Sequence, residues 1–286
     1  MYNILSPDII RKFIPSRKID SRKGDNGIVL VIGGSHIYHG APILSSLSAL
    51  KAGADLVYTA APKIIVNSVR SYSPNLIVIP LMDSKMTRGT VNKLLGSLPI
   101  NIDSATIGMG SKIEDKTSLQ ILIKKLLDKG IRLSLDASSL IDSILPLISN
   151  NNVVVTPHSG EFKRLFGSIP PLKLKDRIFT VEKLAYENSI VILLKGAIDI
   201  ISDGTNTYIN KKTAPAMTVG GTGDVLSGLV ATMLAKTQKS VEAASIAVFV
   251  NGKSGEEAQK KYGCHIMATD LIDMLPQVLK PYDTIN

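Results

Sequence analysis

Short apolar, β-branched runs alternate with longer stretches of helical periodicity along most of the chain, and this alternation limits the possible folds more than any other feature. The spacing predicts strands at Ile28–Ile32, Leu56–Ala60, Leu76–Ile79, Ala105–Ile107, Arg132–Leu135, Val153–Thr156 and Ile190–Lys195. The first and last are apolar nearly throughout, as parallel strands covered on both faces require. Between them, Ile43, Leu47 and Leu50 share a helical face behind Pro42, and Gly53 closes that helix. Leu119, Leu122, Ile123, Leu126 and Leu127 repeat the pattern before Gly130. Such alternation implies an α/β fold, with a mostly parallel central sheet and helices on both faces. Late in the chain, Ala197–Ser202 and Thr207–Asn210 flank Asp203-Gly204, the signal of a β-hairpin. No repeat, low-complexity stretch or long linker interrupts the pattern, so one domain over 1–286 is expected.

Composition narrows the class further. The chain has 286 residues, 44% hydrophobic and 20% charged, enough for a sizeable core and incompatible with wholesale disorder. No window supplies the roughly 18 apolar residues of a membrane span, so no membrane partner is expected. The N-terminus lacks a signal-peptide pattern, and the single cysteine, Cys264, excludes an internal disulfide. A reducing cytoplasm is the expected location. The net charge of +9 is fed by Arg11, Lys12, Arg17, Lys18, Arg22 and Lys23, which crowd a short N-terminal stretch whose residues 1–22 form a basic leader segment. A basic patch for nucleic acid is one reading of this segment. A solvated basic leader is the simpler one, and 5% aromatics without Trp leave few stacking platforms for single strands. No nucleic-acid partner is expected.

The densest chemical signal is Met217-Thr218-Val219-Gly220-Gly221-Thr222-Gly223-Asp224, followed by helical spacing through Val225, Leu226, Leu229, Val230, Met233 and Leu234. Glycines at a helix N-terminus expose N–H groups to an anion and remove the Cβ atoms that would hold it off. Gly220, Gly221, Thr222 and Gly223 are therefore a candidate anion hole. The simpler reading is a flexible turn in which Asp224 caps the helix. A carboxylate beside bound phosphate is unfavourable unless it serves another partner, and a base orienting a hydroxyl toward a phosphoryl group is such a partner. Asp224 is accordingly the candidate catalytic residue.

Gly-Thr-Gly-Asp opening a late helix resembles the ribokinase-like superfamily of small-molecule kinases. Further segments resemble one branch of it, the ADP/ATP-dependent NAD(P)H-hydrate dehydratases. These are Lys23-Gly24-Asp25-Asn26-Gly27, Gly33-Gly34-Ser35 and Tyr38-His39-Gly40-Ala41-Pro42; Ile107-Gly108-Met109-Gly110-Ser111, a degraded glycine loop; Thr156-Pro157-His158-Ser159-Gly160-Glu161; Lys195-Gly196; and Ala268-Thr269-Asp270-Leu271. The resemblance spans roughly residues 20 to 280. Departures include Met109 for a proline, Ser138 for the second aspartate of an Asp-Ala-Asp run, Ala214 for an asparagine and Asn251 for a histidine.

The resemblance implies a ribokinase-like three-layer sandwich. It also implies dehydration of the S-form of NADH hydrate and NADPH hydrate, by phosphorylation of the hydrate hydroxyl and elimination of phosphate. On this reading Ala41, Gly110, His158 and Asp224 contact the hydrate, and Lys195, Gly196, Ala197, Ile198, Asp199 and Gly223 contact the nucleotide. Asp199 often has a threonine counterpart. Glu161 would hold Mg²⁺ through water, and ADP or ATP would be the phosphate donor. The family tends to form homo-oligomers, and a separate epimerase would act on the same metabolite. The alternative is a ribokinase-like kinase of a small alcohol such as a vitamin precursor. Those relatives commonly carry cysteine where this chain has Asp224, and they lack Thr-Pro-His-x-Gly-Glu.

Overall fold

Successive residues of the central strands face opposite helical layers, as a two-residue period dictates. Leu30 and Ile32 point into one core, while Val29 and Val31 point to the other side against Ala49 and Ala231. Ile192 and Leu194 likewise join the first core, and Val191 and Leu193 a second beyond the sheet. The structure, a computed structural model, describes residues 2–82, 86–99, 101–150, 152–211 and 214–286. Among these, the strands are β1 (Asn3–Ile4), β2 (Ile28–Ile32), β3 (Leu56–Pro62), β4 (Ile77–Leu81), β5 (Ser104–Ile107), β6 (Arg132–Leu135), β7 (Val153–Val155), β8 (Val191–Leu194), β9 (Ile198–Ser202) and β10 (Thr207–Lys211). They form one sheet in the order β1-β10-β9-β8-β7-β6-β5-β2-β3-β4.

Neighbours from β4 to β8 pair in parallel, and β9 runs antiparallel to both β8 and β10. Helices Lys116–Asp128, Ser159–Phe166 and Leu174–Asn188 cover one face through Leu122, Phe162 and Val181. Helices Thr222–Lys236, Ser240–Tyr262 and Ala268–Leu279 cover the other through Leu229, Ala247 and Leu271. This is the expected three-layer sandwich with a late hairpin. Predicted strand ends differ from the observed ones by at most two residues; the largest differences are β3 and β4, which run on through Pro62 and Pro80, residues that read as strand breakers in sequence.

Chain direction reverses about β2: the chain runs outward through β3 and β4, then returns to place β5 on the other flank of β2. Open α/β sheets bind ligands at such a switch, beyond the carboxyl ends of the strands. Gly108 donates to Ile32 O at 3.1 Å and Gly34 to Met109 O at 2.8 Å, which ties the two strand ends together. Gly108 has φ +119°, and a Cβ there would fall 2.0 Å from Asp136 O. Only glycine fits this crossing.

The basic N-terminal segment is not a free leader. Asn3 and Ile4 pair in parallel with Tyr208 and Ile209, and the helix Pro7–Phe13 buries Ile10 completely in the second core. Arg17 then hydrogen-bonds Asp55 at 2.8 Å. Leu5, Ile9, Phe13 and Ile14 pack on the same core, and the basic residues set among them hid this in a strand of two residues and a helix of seven. Met1 of that segment lies outside the described residues. Cys264 is exposed and free, and among the described residues no helix is long and apolar enough to cross a membrane.

Candidate active site

A cavity of about 600 Å³ opens at the switch point, between the starts of two helices. Gly40–Lys51 contributes Ala41 and Leu44, Thr222–Lys236 contributes Asp224, and Gly220 and Gly221 form the approach to the second helix. The β2, β5 and β6 exits add Tyr38, Gly110 and Ser138. The expected substrate residues Ala41, Gly110 and Asp224 therefore share one wall system with the glycine loop. Ile37, Tyr38 and Leu44 also line it and give it an apolar side. Tyr38 lies inside a motif noted from sequence, but side-chain direction in a loop is not written in the residue pattern.

Gly221 holds the position before the helix at φ +95° and has no side chain to cap it. The first N–H groups are thus left for an anion, with the helix dipole behind them. Asp224 is not the cap; it lies within the first turn. Its turn is pinned from below: Ser45 Oγ donates to Asp224 O at 2.7 Å, and Ser48 Oγ to Val225 O at 2.9 Å. Gly228 permits this packing, since a Cβ there would meet Ser45 O at 2.0 Å. Burial pushes the Asp224 carboxyl up to about 7; repulsion from Asp136 adds to this and attraction to Lys195 opposes it. A carboxyl so placed exchanges a proton near neutrality, as a general base must.

Under the loop lies a buried ionic cluster. Lys195 Nζ is 2.7 Å from Asp136 Oδ1 and 3.6 Å from Glu161 Oε2. Asp136 also accepts from Thr156 Oγ1 at 2.9 Å and Ser227 Oγ at 2.7 Å. Burial opposes its charge, but Lys195 and these hydroxyls hold it below the usual carboxylate range. Burial likewise lowers Lys195, yet Asp136 and Glu161 outweigh it and hold the ammonium above the ordinary lysine value. A Cβ on Gly223 would stand 3.8 Å from Lys195 Nζ, so this charge sits beneath the glycine loop. Asp136 follows the last residue of β6 and heads the run in which Ser138 replaces a second aspartate. Thr156 at the end of β7 and Ser227 one helical turn after Gly223 were the available signals.

His158 and Glu161 form the start of the helix Ser159–Phe166. His158 Nδ1 accepts from Gly160 N and Glu161 N at 3.0 and 3.3 Å, and Glu161 Oε2 accepts from His158 N at 2.9 Å. This is a reciprocal capping box. His158, Glu161 and the run Lys195, Gly196, Ala197, Ile198 and Asp199 do not line the cavity. The Asp199 side chain is wholly buried and accepts from Gly196 N at 3.0 Å and Asn210 Nδ2 at 3.2 Å. It therefore turns inward from β9, and any nucleotide contact there falls to backbone. Burying this carboxylate among donors removes the repulsion that an aspartate beside phosphate would cause.

Among the described residues no three His, Cys, Asp or Glu side chains gather as a metal cage. Mg²⁺ does not need one, since it keeps waters and takes phosphate oxygens with one or two carboxylates. Glu161 suits that arrangement: Oε2 is committed to the cap, and among the described residues Oε1 has only His158 Nε2, at 3.4 Å.

Comparison with known proteins agrees with this geometry. A family model described as NAD(P)H-hydrate dehydratase matches residues 29–277. The ADP-dependent (S)-NAD(P)H-hydrate dehydratase of Nitrosopumilus maritimus is 61% identical over 281 residues, covering 98% of each chain. The structure of the ADP/ATP-dependent NAD(P)H-hydrate dehydratase of Bacillus subtilis, co-crystallized with ATP/Mg²⁺, matches with TM-score 0.84 at 25% identity over 99% of each chain. A ribokinase-like superfamily protein of Enterococcus faecalis matches with TM-score 0.83 at 26% identity, over 99% of this chain and 96% of that one. The uncapped glycine loop, the carboxyl beside it and these likenesses agree: the chain belongs to the NAD(P)H-hydrate dehydratase family.

Proposed function

We propose that the protein dehydrates the S-form of NADH hydrate and NADPH hydrate with ADP as phosphate donor. The observation that carries this reading is the Asp224 carboxyl, raised to about 7, at the wall of a cavity beside an uncapped helix N-terminus. Asp224 takes the proton of the hydrate hydroxyl as that oxygen attacks the terminal phosphorus. The bond from phosphorus to the departing nucleotide oxygen breaks, leaving AMP and a phosphate ester. The ring nitrogen pair then expels phosphate, and loss of a ring proton restores the double bond. Hydroxide leaves poorly from such a carbon, whereas phosphate leaves readily.

Backbone N–H groups from Gly220 to Gly223 stabilise charge on the transferring group, as prepositioned donors do. Ala41, Gly110 and Asp224 hold the hydrate, with His158 at its outer edge. Lys195, Gly196, Ala197, Ile198 and Asp199 border the nucleotide, the last through backbone. Glu161 would hold Mg²⁺ through water, and that ion supplies charge neutralisation for the phosphates. The choice of ADP rests on the donor named for the Nitrosopumilus relative. A cytoplasmic location, a homo-oligomeric state and a separate epimerase complete the proposal. A kinase of a vitamin precursor is disfavoured by Asp224 at a position where such enzymes commonly carry cysteine.

The test is incubation with hydrated NADH and either ADP or ATP, following the return of reduced-ring absorbance. Recovery with ADP and release of one phosphate per turnover is expected. A stable phosphorylated product with no ring recovery would make the protein a kinase instead.

A further inference from the structure

The two helices that open at the active cavity end together at a second one. Gly40–Lys51 and Thr222–Lys236 place Lys51 and Lys236 at a recess of about 300 Å³, far from the site. Helices of this length put the two recesses about 20 Å apart, at 1.5 Å rise per residue. Arg17 supplies a third cation to the recess, and Asp283 is the carboxylate lining it; Ile14, Met233 and Leu279 form apolar walls. Arg17 is fixed by its N–H to Thr284 O at 2.8 Å and by its side chain to Asp55 at 2.8 Å. Arg17 shares its charge with Asp55, which also accepts from Gly24 N and Asn26 N.

Lys236 stands out within this group. Among the described residues its ammonium makes no hydrogen bond or ion pair of ordinary length, and Asp283 and Asp55 act on it only at longer range. It is not spent on the carbonyls at its helix end, because Arg132 donates to Leu234 O and Thr237 O. It lies over Gly53, where a Cβ would approach within 3.2 Å, so the absent side chain makes its room. Burial and then Arg17 push its pKa below the ordinary lysine value. Lys236 is half-buried, and a cation left without a short partner at the rim of an apolar recess is placed to meet an anion.

We propose that this recess is a binding site for a small organic anion. One oxyanion head would sit among Lys236, Lys51 and Arg17, and a short apolar body would lie against Ile14, Met233 and Leu279. The volume is at the lower end for small-molecule sites and suits a ligand of a few carbons. This inference stands apart from the catalytic reading, since neither its residues nor its test involves turnover.

The probe is hexanoate, followed by the Met233 methyl resonance and by thermal unfolding. A saturable Met233 shift with a rise in Tm is expected, because a ligand that binds only the folded chain stabilises it. Hexylamine, with the same body and opposite charge, should give neither effect. Lys236→Met should weaken hexanoate at least about tenfold, the scale of one charge-assisted hydrogen bond. Without ligand it should be as stable as wild type or more so, since it removes a half-buried charge that lacks a short partner. Lys51→Gln gives a second, exposed variant in which weaker binding is expected. A Met233 resonance unmoved at saturating probe, or binding indifferent to both substitutions, would overturn the site. Lower ligand-free stability of Lys236→Met would assign that ammonium to the fold instead. Inorganic phosphate binding as tightly as hexanoate would overturn the apolar half of the recognition.

Discussion

Lys195 Nζ lies 2.7 Å from Asp136 Oδ1, and this buried pair stands directly under the loop that opens the Thr222–Lys236 helix. Three carboxylates, Asp136, Glu161 and Asp224, thus share the field of one ammonium. Asp136 takes the short contact and two hydroxyl donors, so it holds its charge. Asp224 receives no such donor among the described residues, and its carboxyl is the one of the three pushed up, to about 7.

Rate should therefore follow the ionisation of Asp224. In the proposed reaction its carboxylate form is the base, so kcat/KM should rise with pH and level off above about 7. Asp224→Asn should keep nucleotide binding and lower turnover by at least about 100-fold, the usual contribution of a positioned base. The rate profile and nucleotide titration of that variant check both. Turnover within a few-fold of wild type would remove Asp224 from the chemistry.

The same shift has a stability consequence with a fixed sign. A carboxyl whose folded pKa is raised binds its proton more tightly in the native chain. Its contribution is fully present below the unfolded value of 3.8 and is lost as pH rises through about 7. Asp224→Asn should therefore stabilise the protein at pH 8, by roughly 1–4 kcal/mol, and change little near pH 3. Urea unfolding at the two pH values measures this. Equal effects at both would show that burial of Asp224 costs nothing.

Removing one member of the buried pair should be costly. Lys195→Met leaves Asp136 without its counter-charge, and such a break typically costs about 3–5 kcal/mol. Adding Asp136→Asn should recover part of the loss, because the orphaned charge goes with it. A double-variant cycle by denaturant unfolding tests the coupling. Additive losses would mean that the 2.7 Å contact carries no interaction of its own.

Much of this was legible from the chain alone, for identifiable reasons. Runs such as Ile28–Ile32 and Val191–Leu194 declare strands because both faces are covered, and the glycines at 220, 221 and 223 mark the start of a helix that no side chain caps. Ala41, Gly110 and Asp224 converge on one cavity as their motifs implied. What local pattern could not show was direction. Asp199 and Ile198 are neighbours on β9, yet Asp199 turns into the protein to meet Asn210, a contact set by hairpin register. The Asp136–Ser227 bond joins residues 91 positions apart, and no spacing rule announces it. Strand β1 escaped notice because two residues carry no period.

His158 combines two roles that substitution can separate. Its Nδ1 caps the Ser159–Phe166 helix, so His158→Ala should cost about 1 kcal/mol of stability, the usual loss for a removed cap. His158→Asn keeps a side-chain acceptor at that position and should restore most of this loss. If the imidazole also touches the hydrate, KM for hydrated NADH should rise in both variants while kcat changes little, because uniform binding energy has been removed. Its exposed ring leaves room for such a contact, since 60% of the side chain remains accessible. Parallel unfolding and steady-state measurements decide the matter. A His158→Asn enzyme with unchanged KM would confine His158 to the helix cap and leave substrate recognition to Ala41, Gly110 and Asp224.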